Sequence, residues 1–472
     1  MQRELTANPK ASGISVVERK AAPMVDFHDE SPESNDGEGG FDPRKFNPAD
    51  FQAFMKKYLE NPESFEVEEL AKAAGIPTNP AQLKQLLEML TKAMDQQGKP
   101  DGVDWAQTLS QAKTVARRAN QAVTDAQRNE LTEAVNIANL WLDQATDVSA
   151  LATEPKLLTR DLWVDDAMPL FRAMSEPVAN RMSIALSEHL ANSGPEELTG
   201  MMAEAGRLLR NAGGALFAMQ LGQAIGKLSE SVLSGGDIGL PIFAEQRAAF
   251  VPQNIADYVA DLGVPAAEAH IYLAVRELAH ARLFKHSRWL REQVVAQIVT
   301  YSSEISIDED RIMSAVAETD LSDPSSMQGL LESGAMLADK TPDQQHALEA
   351  IETLLALIEG WVDAVTQEAT KLLPNAARIG EAVRRRRASG GPAELTFGTL
   401  IGLELRPRKL REATAMWLQL GMALGVAKRD ALWDHPDLLP VAADIEDPGA
   451  LIARLQGGGD DFDSALRNLL GE

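Results

Sequence analysis

The stretch HIYLAVRELAHARLFKHSRWL, from His270 to Leu290, decides how this chain is read. It carries three of the seven histidines and places Glu277 three residues before His280. Its surroundings repeat apolar residues at three- and four-residue steps, which predicts helix rather than strand. On a helix, residues four apart lie on one face. Arg276 then shares a face with His280, and Glu277 lies beside it.

The same patterning extends both ways from this stretch. Upstream, helices are predicted from about Asp104 through DWAQTLSQAKTVARRANQAVTDAQRNELTEAVNIANLWLDQATD, then in AMPLFRAMSEPVANRMSIALSEHLA and LTGMMAEAGRLLRNAGGALFAMQLGQAIGKLSESVL. Gly222 and Gly226 have the GxxxG spacing that lets helices approach closely, and their charged flanks point to a protein core rather than a membrane. SGGDIGLP, Ser234 to Pro241, reads as a loop. Downstream, TPDQQHALEAIETLLALIEGWVDAVTQEATKLL opens on the helix-start pair Thr341 and Pro342, and LRPRKLREATAMWLQLGMALG and DPGALIARLQ are helical again.

No alternating strand of useful length and no fixed-period repeat is found. The predicted fold class is mainly α: a large multi-helix bundle. Residues 1–45 read as a disordered acidic arm, 46–100 as a small helical region, and 101–455 as the main helical domain. Residues 456–472 read as a glycine linker with a short terminal helix.

Composition narrows the function classes. Of 472 residues, 44% are hydrophobic, enough for a substantial core, while aromatics at 5% favour helix over strand. The net charge of −25 opposes a nucleic-acid backbone or an anionic membrane surface as main partner. Without cysteine, any metal must be held by His, Asp, Glu or water. The start of the chain lacks an apolar signal and no stretch is long enough to span a membrane, so a cytoplasmic location is expected.

Glu277 and His280 keep the spacing of general base and second metal ligand in the H-E-x-x-H zinc motif. Arg276 stands at the first ligand, and a guanidinium has no lone pair to donate. His286 lies six residues past His280, the offset of the third ligand in longer zinc motifs. The glycine that turns the chain there is replaced by Leu283, and on a continuing helix His286 points roughly 120° away. His270 shares the stripe of Glu277 and could approach the same place. Glu359, inside the apolar run LLALIEGWVDAV, is expected to be buried and to need a partner: Arg276 as an ion pair, or a metal as a third ligand from a distant helix. Asp363, one turn on, could orient a ligand.

Together, GQAIGKLSESVLSGGDIGLP, VPQNIADYVADLGVP, VRELAHARLFKHSRWLREQ, LLALIEGWVDAV and RDALWDHPDLLP resemble the zincin-like metallopeptidase type 2 family, over roughly residues 105 to 445. Its relatives include candidate hydrolases and proteins associated with biosynthesis of a deazaflavin cofactor. The resemblance implies a helical bundle around a zincin-like pair of active-site helices. It also implies that Glu277 corresponds to the catalytic glutamate, His280 to the second histidine ligand and Glu359 to the glutamate of the second helix. Where branches of the family carry HEVTH and EGHAE, this chain has Arg276 for the first histidine and Trp361 for the histidine of the second motif. Leu283, Phe284 and Trp289 keep the apolar frame.

Two function classes follow. One is a zinc-dependent metallohydrolase of peptidase type. Zinc would be held by His280 and Glu359 with His286, His270 or water, Glu277 would activate the metal-bound water, and Arg276 would face the oxyanion. The other is a degenerate zincin that binds a peptide or protein, with an Arg276–Glu359 ion pair filling the metal cavity.

The remaining features are read structurally. The run Arg384–Arg387 is expected to be a solvated cluster at a helix end. SIDEDR, Ser306–Arg311, reads as a turn or helix start, lacking the glycine and glutamate of a calcium loop. Trp163, Trp289, Trp361, Trp417 and Trp433 read as core. There is no G-x-S-x-G, and no glycine-rich phosphate loop follows a strand.

Overall fold

The computed structural model describes residues 103–192, 214–215, 217–240, 242–243, 247–305, 339–389, 398, 402–403 and 407–457. The expected N-terminal arm, the small helical region up to residue 100, the SIDEDR segment and, from residue 458 on, the C-terminal linker and helix lie outside the described residues.

The described chain is mainly α, as the periodicity predicts. The longer helices include α1 (Trp105–Ala116), α2 (Asp125–Ala145), α3 (Arg160–Asn192), α4 (Pro252–Leu262), α5 (Ala266–His286), α6 (Trp289–Ser303), α7 (Pro342–Ala369), α8 (Ala376–Ser389) and α9 (Leu410–Leu424). Local signals set several boundaries. Thr124 and Gln127 close a capping box at the start of α2. Thr341 and Gln344 do the same for α7, with Pro342 in its first turn. Gly263, at φ +62°, ends α4 in a left-handed cap.

α5 is the centre of the bundle. Its buried residues run from Ala269 to Phe284 on nearly every face, the pattern of a helix enclosed by neighbours rather than lying on a surface. α2, α4, α7 and α8 pack around it, and α7 is in turn covered by α6 and α9. Trp163, Trp361, Trp417 and Trp433 are fully buried in the core, and Trp289 packs against its edge. The glycine pair of the 217–229 helix works as the spacing suggests. A Cβ on Gly222 would fall 2.5 Å from the Thr108 carbonyl oxygen, and one on Gly226 would fall 2.6 Å from Val115 Cβ. α1 sits directly on that stripe.

The structure adds one feature that hydrophobic periodicity did not reveal. Lys156–Leu157 (β1) and Ala249–Phe250 (β2) form a two-residue parallel pair, with Lys156 opposite Ala249 and Leu157 opposite Phe250. Ser234 bridges antiparallel to Phe250 on the other side. These segments are too short for alternation to appear in the sequence. They carry the loop after residue 230 across the side of α5 that bears Glu277. Among the described residues, no helix is long and apolar enough to cross a membrane.

Candidate functional site

Three helices and one loop converge where α5 carries Arg276, Glu277 and His280. α7 supplies Glu359 and Asp363 from its most buried stretch. α8 supplies Arg384, Arg386 and Arg387. The loop supplies Ser234, Gly236 and Asp237.

The carboxylate of Glu359 has no exposure to solvent. Its Oε2 accepts a hydrogen bond from Arg276 Nη2, and its Oε1 accepts one from Arg387 Nη2 at 3.3 Å. Burial would raise the pKa of this group, but the two guanidiniums, Arg276 first, hold it below the ordinary range. Glu359 is therefore an anion with both oxygens engaged.

Glu277 is differently placed. Its Oε1 accepts the Ala249 N–H and its Oε2 accepts the Gly236 N–H, each at 2.9 Å. No guanidinium reaches it. Burial pushes its carboxyl up to about 7, against the opposing pull of the Ala249 N–H, the Ser234 hydroxyl and the Gly236 N–H.

His280 lies in the same hollow, packed against the Phe284 ring with centroids 4.8 Å apart. Its Nε2 is buried and has no hydrogen-bond partner. Burial lowers its pKa to about 4, and the charges of Arg276 and Arg387 push the same way against Glu359, so the imidazole is neutral at pH 7. Gly236 is required beside it, since a Cβ there would fall 2.3 Å from His280 Nδ1. Arg276, Glu277, His280, Ser234 and Asp237 line a cavity of about 20 Å³, room for about one water molecule.

Further ion pairs hold the surrounding loop and helices in place. Arg386 grips buried Asp237 with two hydrogen bonds of 2.8 and 2.7 Å, and also donates to the Ser231 carbonyl at 2.8 Å. Burial would raise the pKa of Asp237, but Arg386, then Arg387, bring it down to about 2. Asp363 accepts from Arg384 at 3.3 Å, Thr414 at 3.2 Å and Gln367 at 2.9 Å. The arginine run expected to be solvated is thus largely turned inward. Only Arg385 is exposed, at 77% of its side chain, while Arg387 is 3% exposed. Three acids set in apolar or loop contexts (Asp237, Glu359 and Asp363) were the available sign that three cations had to come in to meet them.

The other candidate ligands fall elsewhere. α5 continues to His286 without turning, so that residue is rotated off the site, and its Nε2 lies 2.7 Å from Asp434 Oδ1. The expected contribution of His286 to a metal site is corrected on that ground. His270 faces Glu130 on α2, with 3.9 Å between Nδ1 and Oε2. Trp361, at the position of a second-helix histidine, points its Nε1 to Asp430 at 2.9 Å and lies edge-on to Trp433.

These residues do not fit a zinc ion. Position 276 holds a cation, Glu359 has both oxygens on guanidiniums, and Glu277 has both oxygens on backbone N–H groups. One free imidazole nitrogen remains. Among the described residues, no three His, Asp or Glu side chains come together as a ligand set.

A sequence profile of a family described as zincin-like metallopeptidase matches residues 103–452. A solved structure from Chloroflexus aurantiacus, described as a candidate hydrolase with a novel fold, is similar in fold with a TM-score of 0.52. It shares 19% identity, and the match covers 75% of this chain and 99% of that one. At that identity the likeness concerns the fold alone. A comparison with curated proteins finds no match.

Proposed function

The chain belongs to the zincin-like metallopeptidase family, and from that premise we propose that it binds a peptide or protein chain without zinc and without cleaving it. The observation that carries this reading is the Arg276 guanidinium on Glu359 Oε2. It puts a fixed positive charge beside the carboxylate that a zincin would turn towards its metal. Breaking that pair to admit a dication would leave a second cation buried in the same hollow, at a cost of several kcal/mol. The cavity beside Glu277 supports the reading too. With Arg276 on Glu359, about 20 Å³ remains there, room for about one water. The description of the family as metallopeptidases is what supports a peptide or protein as the partner.

Hydrolysis is the second reading, favoured by two observations. Glu277, with its carboxyl near 7, suits proton transfer at neutral pH, and His280 keeps an unpartnered nitrogen. One experiment separates the two. The untagged chain is mixed with a fluorescently labelled casein digest, with and without 1,10-phenanthroline, and followed by anisotropy and by mass spectrometry. The proposal expects retention of peptides, no cleavage and no effect of chelator. Cleavage that the chelator abolishes and zinc restores would establish the second reading, and absence of both binding and cleavage would remove the first.

A further inference from the structure

The hollow beside α5 also holds a serine, Ser234, at its rim. Ser234 bridges antiparallel to Phe250. Hydrogen bonds on either side, from Val251 N–H to the Leu233 carbonyl at 2.9 Å and from Gly235 N–H to the Ala249 carbonyl at 3.0 Å, pin its backbone to β2. Gly235 lets the loop close on Glu277, since a Cβ there would fall 3.1 Å from Glu277 Oε1. The Ser234 hydroxyl donates to the Glu277 carboxylate. Of the residues that line the cavity, all but Ser234 and Arg276 are buried, so its mouth lies at these two. Among the described residues, the Arg276 side chain makes one hydrogen bond, from Nη2 to Glu359, which leaves its other N–H groups to the cavity.

We propose that Ser234 is a nucleophile towards esters of small carboxylic acids, with Glu277 as its general base and Arg276 as the donor to the oxyanion. This activity stands beside the peptide-binding reading and does not depend on it. The three side chains fill the roles that acyl transfer needs. The cavity, with room for about one water, receives the carbonyl oxygen against Arg276 and has no space for a long acyl chain behind it. Ser234 Oγ forms a bond to the acyl carbon as its proton passes to Glu277. The bond from that carbon to the alcohol oxygen then breaks, and the alcohol leaves with the proton from Glu277. Water attacks the acyl-serine by the same route: its proton goes to Glu277, the acid departs, and Ser234 Oγ takes the proton back. An ester sheds its alcohol without the protonation that an amide nitrogen requires, so the reaction leaves a bound peptide intact.

The test treats the full untagged wild-type chain with a fluorophosphonate probe and maps the label by peptide mass spectrometry, while p-nitrophenyl acetate hydrolysis is followed by absorbance. One label on Ser234 is expected, in the presence or absence of 1,10-phenanthroline. Ser234→Ala should lose both label and hydrolysis, and Glu277→Gln should slow labelling by about 100-fold, with circular dichroism checking the fold of each. The mapping itself uses wild type, so a variant that fails to fold does not spare the proposal. No label on the folded wild type, or a label on another residue, overturns it. So does hydrolysis that survives in a folded Ser234→Ala chain, or a Glu277→Gln chain that folds and labels at the wild-type rate. Hydrolysis that the chelator abolishes also overturns it, in favour of a metal-dependent reaction. Retention of casein peptides by a chain that takes no label would leave the peptide-binding reading standing alone.

Discussion

Replacing Arg276 by methionine keeps most of the aliphatic stem and removes the guanidinium, so its effect isolates the charge. Glu359 is fully buried and Arg276 has only 11% of its side chain exposed, so solvent cannot take over the lost role. Breaking a buried pair of this kind costs about 3–5 kcal/mol. Arg387 still holds Oε1 at 3.3 Å, which places the expected loss at the low end, about 3 kcal/mol. For a body of this size each kcal/mol lowers the melting temperature by roughly 1–2 °C, giving a fall of roughly 3–6 °C at pH 7.

The pH dependence carries a second signature. The carboxyl of Glu359 is depressed below its ordinary 4.5, so its pairing stabilises the fold above that pH and is lost as pH falls through the lower folded value. In Arg276→Met burial is less opposed and Glu359 protonates more easily. The gap between variant and wild type should therefore narrow as pH falls from 7 to about 4. Adding Glu359→Gln should recover about 2 kcal/mol at pH 7, a coupling read by calorimetry in a double-mutant cycle. A variant within about 0.5 kcal/mol of wild type, or a cycle with no coupling, would refute the reasoning.

The remaining predictions concern the neighbours of that pair. Glu277, raised to about 7, stabilises while protonated and loses that contribution as pH rises from 4.5 through 7; His280, lowered to about 4, stabilises while neutral and loses it as pH falls from 6.5 through 4. The two slopes oppose each other between pH 4.5 and 6.5, so His280→Gln should expose a fall in melting temperature towards high pH and Glu277→Gln one towards low pH; flat profiles for both variants would count against these shifts. Arg386→Met should cost about 2 kcal/mol at pH 7, a deficit that closes as pH falls from 3.8 towards 2, where Asp237 is protonated in wild type too. Arg385→Ala, one residue away, should change chemical-denaturation midpoints negligibly, because its side chain is exposed. Gly236→Ala should cost about 1–3 kcal/mol by forcing the loop away from His280, which denaturation would detect.

Much of this was legible in the sequence because the relevant signals are local or periodic. The capping pair at Thr341 and Pro342 marks the start of α7, and the apolar setting of Glu359 marks a buried acid in need of a partner. The unusual Arg276 supplied one of the two partners weighed for it, and the structure has that pair. What stayed hidden depends on distant packing. Nothing near Arg384–Arg387 says that α8 lies against α5 and α7, so a run of four cations reads as a wet helix end. Asp237 sits among glycines that announce a loop but not its direction, and only the fold turns its carboxylate onto Arg386. His286 had the right offset in sequence but depended on a turn that Leu283 does not make; the unbroken helix carried it to Asp434.

The central claim is that a guanidinium stands where a zincin keeps its metal. Its most direct test is the zinc content of the untagged wild-type chain after equilibrium dialysis against micromolar zinc, read by elemental mass spectrometry. A chain that retains almost none, in a fold that melts at the same temperature with and without chelator, is the predicted result. A stoichiometric zinc that disappears in both His280→Ala and Glu359→Gln would contradict it.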